Sequence, residues 1–370
     1  MRHLVEVSFS VILFSLAVPL EASDAVCVVS SEAVPGAQQP QVAVNTAGHI
    51  FIAFGADENI FVCKSVDFGI TYTSPVKIGQ VSNLALGMRR GPRIVTNENT
   101  VVVSAISHAS GNLMAWRSGD GGETWDGPVN VNDQPKVARE GLHGMAMGTD
   151  GLIFCTWLDL RKENTQIFGA SSRDGGKSWS KNHLVYASPS GTVCECCHPS
   201  VEISHDGIIH VMWRNALEGN RDMYLAKSED AGKTFGLARK IGVGSWKLNA
   251  CPMDGGDLAV SPTGSLTTVW RRNRQIFSLE MSGDKRERLL GQGEQPSVAA
   301  TADRFYLIWI SRRGGDLLFL PSSSNVPLQL ADNAFDPMIT SSFSGVGPVV
   351  VAWESGKKSE TKIMASVVAN

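Results

Sequence analysis

The sequence predicts an all-β fold built from repeated small antiparallel sheets. A short apolar strand recurs seven times along the 370 residues, and a turn motif recurs four times. Glycine, at 37 residues, is more frequent than in an average protein, and charged residues, at 19%, are less frequent. Many short strands joined by turns are consistent with all four observations, whereas long helices or disorder are not.

The recurring apolar strand marks the middle of each repeat. It is preceded by an alternating segment, as at residues 40–44, 199–203 and 296–300, and it is followed by another strand, as at residues 223–227 and 362–366. Each repeat is therefore expected to form one small sheet. The seven copies of the apolar strand are residues 49–54, 101–105, 152–157, 208–213, 266–270, 305–309 and 349–353.

The turn motif reads Ser-x-Asp-x-Gly-x-Thr/Ser-aromatic and follows the third strand of the first four repeats. Its serines, at positions 65, 118, 172 and 228, are separated by 53, 54 and 56 residues, the length of a four-stranded sheet with its loops. In such a turn the Asp accepts backbone hydrogen bonds, the Gly adopts a positive φ and the aromatic ring packs on the sheet. We therefore expect a structural role, without catalysis, for Asp67, Asp120, Asp174 and Asp230.

These motifs resemble the Asp boxes, or BNR repeats, of sialidase-like proteins, and the chain is similar to that superfamily from about residue 40 to its end. The resemblance implies a β-propeller of four-stranded blades, in which radial stacking covers both faces of every sheet. Seven blades are favoured, and six, as in sialidases, is the alternative. The last repeat lacks a fourth strand, which residues 25–29 would supply. Residues 26–370 then form one propeller domain.

The amino-terminal 25 residues are typical of a secretory signal peptide. A short basic start, Met1-Arg2-His3, precedes an apolar run at residues 7–20, which is shorter than the roughly 20 residues of a membrane-spanning helix. We expect cleavage after Ala22 or Ala25, with a retained anchor as the alternative. The mature chain is then exported to the periplasm or the extracellular space without a membrane span. Its net charge of −3 argues against a nucleic-acid partner.

The loops that enter the third, fourth and fifth repeats have the most unusual composition in the chain. In a propeller these loops share one face with the loops between second and third strands. The loop before the fourth repeat contains Cys194, Cys196, Cys197 and His198, and the next one contains Cys251. We expect these five side chains to converge. Three neighbours from the loop entering the third repeat are expected to contact the ligand, namely Arg139, Glu140 and His143.

Three chemistries remain open for this cluster. Thiolates and an imidazole suit a soft metal ion, copper or zinc. Disulfides are the second alternative in an exported protein, and Cys155 would then be the unpaired residue among the seven cysteines. Cys194, Cys197 and His198 also satisfy the Cys-x-x-Cys-His pattern of covalent haem attachment, which is the third alternative. With disulfides alone the protein has no cofactor.

The resemblance to sialidases does not extend to the expected catalytic residues. The family uses three arginines, an Asp acid and a Tyr–Glu pair, yet no arginine lies between Arg2 and Arg89, and none of the four tyrosines lies in the expected late loop. We therefore predict an exported sialidase-like propeller without sialidase activity, with a cysteine-rich face that binds a metal, a small molecule or a glycan.

Two alternative functions remain. A glycoside hydrolase of the exo-sialidase type would use Asp57 or Glu58 as acid, with Glu218 and Arg214 near the reacting centre. Arg214, Arg271 and Arg274 are also candidates for binding an anionic ligand, although they would equally suit a solvated rim of surface charges. The other alternative is a protein-interaction propeller with disulfide-stapled loops.

Overall fold

A computed structural model describes residues 23–282, 286–302, 304–321, 324–342 and 344–369. Nearly all of the predicted signal peptide, residues 1–22, lies outside these ranges. The described residues form strands β1–β27 and one turn of 3-10 helix, Lys358–Glu360. No helix in these ranges is long and apolar enough to cross a membrane.

Five four-stranded antiparallel sheets follow one another along the chain. The first contains β2 (Gln38–Val44), β3 (Ile50–Ala56), β4 (Asn59–Ser65) and β5 (Val76–Gln80). The second contains β6 (Arg93–Asn97), β7 (Thr100–Ile106), β8 (Leu113–Ser118) and β9 (Asp126–Asn130). The third contains β10 (His143–Met147), β11 (Ile153–Asp159), β12 (Gln166–Ser172) and β13 (His183–Tyr186). The fourth contains β14 (Ser200–Ile203), β15 (Ile209–Arg214), β16 (Met223–Ser228) and β17 (Arg239–Lys240). The fifth contains β18 (Asp257–Val260), β19 (Leu266–Arg272), β20 (Gln275–Glu280) and β21 (Arg288–Gln292).

The sixth sheet has seven strands and divides into two four-stranded units that share β25. Residues 328–334 of β25 pair with β24, and residues 334–340 pair with β26. The outermost strand, β1, pairs with β27 and supplies the fourth strand of the last unit, which is the pairing expected from residues 25–29. The strands of this sheet are β22 (Glu294–Ala300), β23 (Phe305–Ile310), β24 (Gly315–Pro321), β25 (Leu328–Thr340), β26 (Val349–Ser355), β27 (Lys362–Ala369) and β1 (Val26–Val29).

The units close into a ring, so the protein is an all-β propeller. The innermost strands β2, β6, β10, β14, β18, β22 and β25 contact one another in this order, and β25 contacts β2. Val44 of the first unit forms a bridge with Ser342 after the last inner strand. An axial cavity of about 190 Å³ is lined by residues from all seven inner strands.

Hydrophobic clusters fill the interfaces between successive units. Successive side chains of a strand point to opposite faces of the sheet, so neighbouring residues of β3 contribute to two different interfaces. Phe51 belongs to the cluster that contains Val101 of the second unit, and Ile52 belongs to the cluster that contains Val350 of the last unit. Burial of these apolar faces, at roughly 25 cal/mol per Å² of apolar surface, is the main stabilisation of the ring. The recurring strand contributes four fully buried indoles, Trp157, Trp213, Trp309 and Trp353.

The Asp boxes lie between the third and fourth strands, on the face opposite the loops that join the units. In the third box, Asp174 accepts hydrogen bonds from the Ser172 hydroxyl (2.8 Å) and the Ser178 amide (3.0 Å), and the Gly176 amide donates to the Ser172 hydroxyl (3.0 Å). Asp67, Asp120 and Asp230 make the corresponding bonds in their own boxes. Each carboxylate thus accepts hydrogen bonds from residues of its own turn.

The boxes also connect neighbouring units through their glycines. Gly232 has φ +84°, and a Cβ at this position would lie 2.3 Å from a ring carbon of Phe154 in the preceding unit. Gly122 likewise faces Phe51. Only glycine permits both the left-handed backbone and the close approach to the ring, which explains the fixed glycine of the motif.

We predict that Asp174→Ala lowers the free energy of unfolding by about 1 kcal/mol, because the turn loses side-chain hydrogen bonds in a solvent-exposed setting. Urea denaturation followed by tryptophan fluorescence measures the change. Glu123→Ala is the matched control, since the exposed Glu123 carboxylate in the second box forms an ion pair with Lys64 (3.3 Å) at the surface. Equal stability of the two variants would contradict the structural role of the box aspartates.

Candidate functional site

Three cysteine thiols meet on the face where the inner strands begin, which we call the loop face. The Sγ atoms of Cys194, Cys196 and Cys197 all lie within 4.8 Å of one another, in the loop between β13 and β14. Cys194 is 3.5 Å from Cys197 and 3.7 Å from Cys196. Cys194 and Cys197 are buried, whereas Cys196 is half-buried. This loop of the cysteine-rich face therefore forms a compact set of three sulfur donors.

The neighbouring loop between β17 and β18 surrounds these thiols with hydrogen-bond donors. The backbone amide of Asp254 donates to Cys197 Sγ at 3.4 Å, and the backbone amide of Met253 donates to Cys196. The hydrogen bond with Cys196 and burial raise the pKa of Cys194, and burial raises that of Cys197; the charge of the Arg214 guanidinium, whose Nε donates to the Asp254 carbonyl (3.0 Å), opposes these larger effects. Such donors and positive charge stabilise sulfur in its thiolate form.

Without a bound cation the three groups remain thiols. The hydrogen bond to Cys196, together with burial, raises the pKa of Cys194 to about 11. Burial raises the pKa of Cys197 above the usual range of a thiol. Metal binding at this site therefore requires displacement of thiol protons.

The donor set fits a soft metal ion. Thiolates that bind zinc lie about 2.3 Å from the ion, so two of them in a tetrahedral arrangement are about 3.8 Å apart. The two sulfur–sulfur distances at Cys194 differ from this value by only a few tenths of an ångström. All three donors are soft sulfur atoms, which prefer copper(I) or zinc to hard cations.

The disulfide alternative is wrong for this structure, which has seven free cysteine thiols. The sulfur–sulfur distances of 3.5 and 3.7 Å in the cluster are well beyond the roughly 2.05 Å of a disulfide bond. Cys251 is exposed and is not within 4.8 Å of the cluster, so the expected convergence of four thiols does not occur. Cys155 is a buried strand residue, as expected.

The two predicted histidines lie in buried positions of their own. His198 Nε2 is 3.1 Å from the Gly256 carbonyl, and Nδ1 has no hydrogen-bond partner in the described structure. His143 Nε2 is 3.0 Å from the Ser104 hydroxyl. Burial lowers the pKa of both rings well below the usual value, so both imidazoles are neutral. Neither histidine belongs to the group of ligand atoms formed by the three cysteines.

The predicted arginines have separate roles. Arg214 is buried and donates to the carbonyls of Asp254, Arg221 and Arg271, so it connects neighbouring loops. Arg271 forms an ion pair with Glu294 at 3.0 Å. Arg274 is exposed in the hairpin between β19 and β20, and Arg139 is exposed in the loop before β10. Binding of an anionic ligand by Arg214, Arg271 and Arg274, and contact of Arg139 with a ligand of the cysteine-rich face, stay predictions.

Two of the carboxylates considered for catalysis, Asp57 and Glu218, are exposed, and Glu58 is half-buried. Asp57, in the hairpin between β3 and β4, and Glu218, in the loop between β15 and β16, both have positive φ values in tight turns. Glu58 accepts a hydrogen bond from the Asn83 amide at 2.8 Å. Glu140 is half-buried, and burial together with the nearby Glu195 raises its pKa.

A ring of buried polar side chains lies where the inner strands begin, and sequence reasoning did not identify it. Gln39, Gln295 and Asp336 each precede a proline, and each has a positive φ. Their amides are bound by side chains of adjoining segments: Gln39 by Glu354 (2.6 Å), Gln295 by Asp254 (2.8 Å) and Asp336 by Gln295 (3.0 Å). The recurrence of a polar residue before proline at the start of inner strands was the available signal.

One carboxyl of this ring has an unusual acidity. Burial, and then the charge of Asp336, raise the pKa of Glu354 to about 7. Asp336 binds Gln295 Nε2 at 2.6 Å and Arg313 at 3.1 Å. A carboxyl with a pKa near neutrality is suited to donate and accept protons.

Two buried arginines cross the loop-face end of the axial cavity. Arg89 donates to the carbonyls of Pro337 (2.8 Å) and Pro296 (2.9 Å), and thereby joins the second unit to the sixth and seventh. Arg93 donates to the carbonyl of Arg89 at 2.7 Å. Further along the cavity, burial and then the neighbouring Asp257 raise the pKa of Glu202 to about 8.

The fold and the four occupied turn motifs define a class of protein, the β-propellers with Asp-box repeats. Residues 95–287 match the family model of the BNR repeat-like domain, and the chain belongs to this family. The protein is therefore a sialidase-like BNR propeller.

The chain is similar to a sialidase of Bacteroides fragilis (strain YCH46), with 26% identity over 211 residues, which are 48% of this chain and 37% of that protein. The match thus spans little more than a third of the relative's length. Among solved structures, the fold is similar to an α-L-arabinanase of Penicillium chrysogenum, with a TM-score of 0.58, 12% identity and coverage of 94% and 99% of the two chains. It is also similar to Trypanosoma rangeli sialidase, with a TM-score of 0.51, 15% identity and coverage of 90% and 55%.

Proposed function

We propose that this chain is an exported sialidase-like propeller that binds a soft metal ion, copper or zinc, on its loop face. The observation that carries the proposal is the set of three thiols, Cys194, Cys196 and Cys197, within 4.8 Å of one another. Two backbone amides and the Arg214 charge support the thiolate form of these residues. The amino-terminal segment of residues 1–25, with its basic start and apolar run, supports export.

Haem attachment is the less favoured chemistry of this loop. Cys194 and Cys197 are buried beside each other. The His198 ring is also buried, and its Nε2 atom faces the Gly256 carbonyl. Covalent attachment would require both sulfurs to turn outward to a porphyrin. Three convergent sulfurs suit a single ion better.

We predict that Cys196→Ser lowers the amount of metal that the protein retains, because loss of one of three sulfur donors weakens the binding of a soft ion. Elemental analysis of protein purified without chelator and without nickel resin measures the metal content. Cys27→Ser is the matched control, since Cys27 is an exposed thiol in β1, outside the cluster. Equal metal content in the wild type and both variants, or none in any of them, would contradict the proposal.

Glycoside hydrolysis is a second candidate function, favoured by the Glu354 carboxyl. Its pKa of about 7 suits a general acid, and Asp336 and Arg313 lie beside it near the centre of the loop face. The sialidase from Bacteroides fragilis, a relative by sequence, supports carbohydrate chemistry, with an anionic or neutral glycan as substrate.

For this second candidate we predict that Glu354→Gln lowers kcat by about 100-fold, the usual contribution of a general acid or base. A panel of fluorogenic glycosides that includes a sialoside measures turnover. Glu229→Gln serves as the control, because this exposed carboxylate beside Lys227 should leave kcat unchanged. Absence of turnover across the panel would eliminate the enzyme hypothesis, and a large loss in Asp57→Asn or Glu218→Gln with full activity of Glu354→Gln would move the acid to that residue.

A further inference from the structure

The metal site has only three donors. Among the histidine, cysteine, aspartate and glutamate side chains of the described residues, Cys194, Cys196 and Cys197 alone form such a group. Structural zinc sites use four protein ligands, and zinc sites with three protein ligands commonly include imidazole or carboxylate. Monovalent copper is soft and is stable with few sulfur ligands. We infer, on the basis of the proposed function, that this cluster binds copper(I) through three thiolates.

The surroundings of the cluster are suited to the charge of such a centre. Three thiolates and one monovalent cation carry two net negative charges, one more than the same ligands around zinc. Burial of that charge requires compensation. The amides of Met253 and Asp254 donate to the sulfurs, and the Arg214 guanidinium binds the carbonyl of Asp254 at 3.0 Å. The two amides therefore offset part of this charge, and the positive charge of Arg214 acts on Cys194 and Cys197 in the same sense.

The exposure of the three thiols gives the ion a route of entry. Cys194 and Cys197 are each 1% exposed, whereas Cys196 is half-buried. A small thiol that carries copper(I) can reach Cys196 first, and the ion then moves inward to Cys194, 3.7 Å away. When the ion arrives with three such thiolates, they are exchanged one at a time. A cysteine thiol gives its proton to the departing thiolate as its sulfur binds the ion, so each copper–sulfur bond formed is matched by one broken. The oxidation state of copper does not change during this transfer.

The test uses the full chain, reduced and freed of metal, under anaerobic conditions. One sample receives copper(I) chloride, a second receives zinc chloride, and a third receives both in equal amounts. Gel filtration removes unbound ions before elemental analysis, and X-ray absorption counts the sulfur neighbours of the bound ion. We expect one copper per chain with three sulfur neighbours, and we expect copper to be retained in the mixed sample.

Variants distinguish the cysteines that bind copper from those that do not. Cys196→Ser and Cys194→Ser should each bind copper more weakly and show two sulfur neighbours in place of three, with circular dichroism to verify the fold. Cys251→Ser should retain the copper and its three sulfur neighbours, because Cys251 is exposed outside the group. Retention of zinc in preference to copper, or a shell of four ligands that loses one in Cys251→Ser, would overturn the inference and leave the metal site in place. Failure to bind either ion would overturn the proposed function itself.

Discussion

Arg89→Met is expected to lower the free energy of unfolding by about 3 kcal/mol, one of the two largest effects that we predict. Arg89 is buried, and its two terminal nitrogens donate to the carbonyls of Pro337 and Pro296 in two other units. Methionine fills a similar volume but leaves both carbonyls without donors, at about 1–3 kcal/mol each. Removal of the buried charge offsets part of this loss. Urea denaturation measures the difference.

Arg90→Met provides the control for Arg89→Met. The adjacent Arg90 is half-exposed and donates through Nε to the Glu140 carbonyl at 2.8 Å. Its replacement should cost less than about 1 kcal/mol, because water replaces the lost donor. If both variants were equally stable, Arg89 would not be the residue that joins the second unit to the last two.

The pH dependence of stability should change when Glu202 is replaced by glutamine. The ordinary pKa of a glutamate is 4.5, and burial, then the neighbouring Asp257, raise that of Glu202 to about 8 in the folded protein. The folded state therefore binds more protons than the unfolded state between these values. The corresponding stability is fully present below pH 4.5 and is lost as the pH rises through about 8. Glu202 lines the cavity, where solvent screens its charge in part. We therefore expect this titration to lower the free energy of unfolding by about 2 kcal/mol.

Glu202→Gln removes this titration, so the variant should equal the wild type near pH 5 and exceed its stability by about 2 kcal/mol near pH 8. Urea unfolding at the two pH values measures both proteins. Glu229→Gln is the control, because Glu229 is exposed beside Lys227 and should leave the pH profile of the wild type unchanged. If the stability of Glu202→Gln and of the wild type changed with pH in the same way, the prediction would be contradicted, and Glu202 would be ionised at neutral pH in the folded state.

Much of the fold was predictable because its signals are local and repeated. An apolar strand and a turn motif at a fixed spacing are legible without knowledge of any contact, and each Asp box is satisfied by residues within about four positions of its aspartate. Even the pairing of β1 with β27 follows from counting strands in the last repeat.

The candidate site was predictable only where its residues are neighbours in sequence. Cys194, Cys196 and Cys197 lie in one short loop, so their proximity follows from chain connectivity. Cys251 and His198 were expected to join them, but Cys251 is exposed in the loop between β17 and β18, and the His198 ring is directed to the Gly256 carbonyl. Glu354 had no distinguishing feature in its strand, since its acidity arises from burial and from Asp336 beside it.

The sequence therefore determined the repeat, the propeller class and the three-sulfur loop, because each depends on hydrophobic alternation, turn chemistry or adjacent residues. Tertiary structure alone decided which polar groups are buried at the centre of the ring. Arg89 and Pro337 are 248 residues apart along the chain, and Gln39 and Glu354 are 315 apart. Contacts at such separations arise only when the ring closes, because closure brings the first and last units together and removes their polar groups from water.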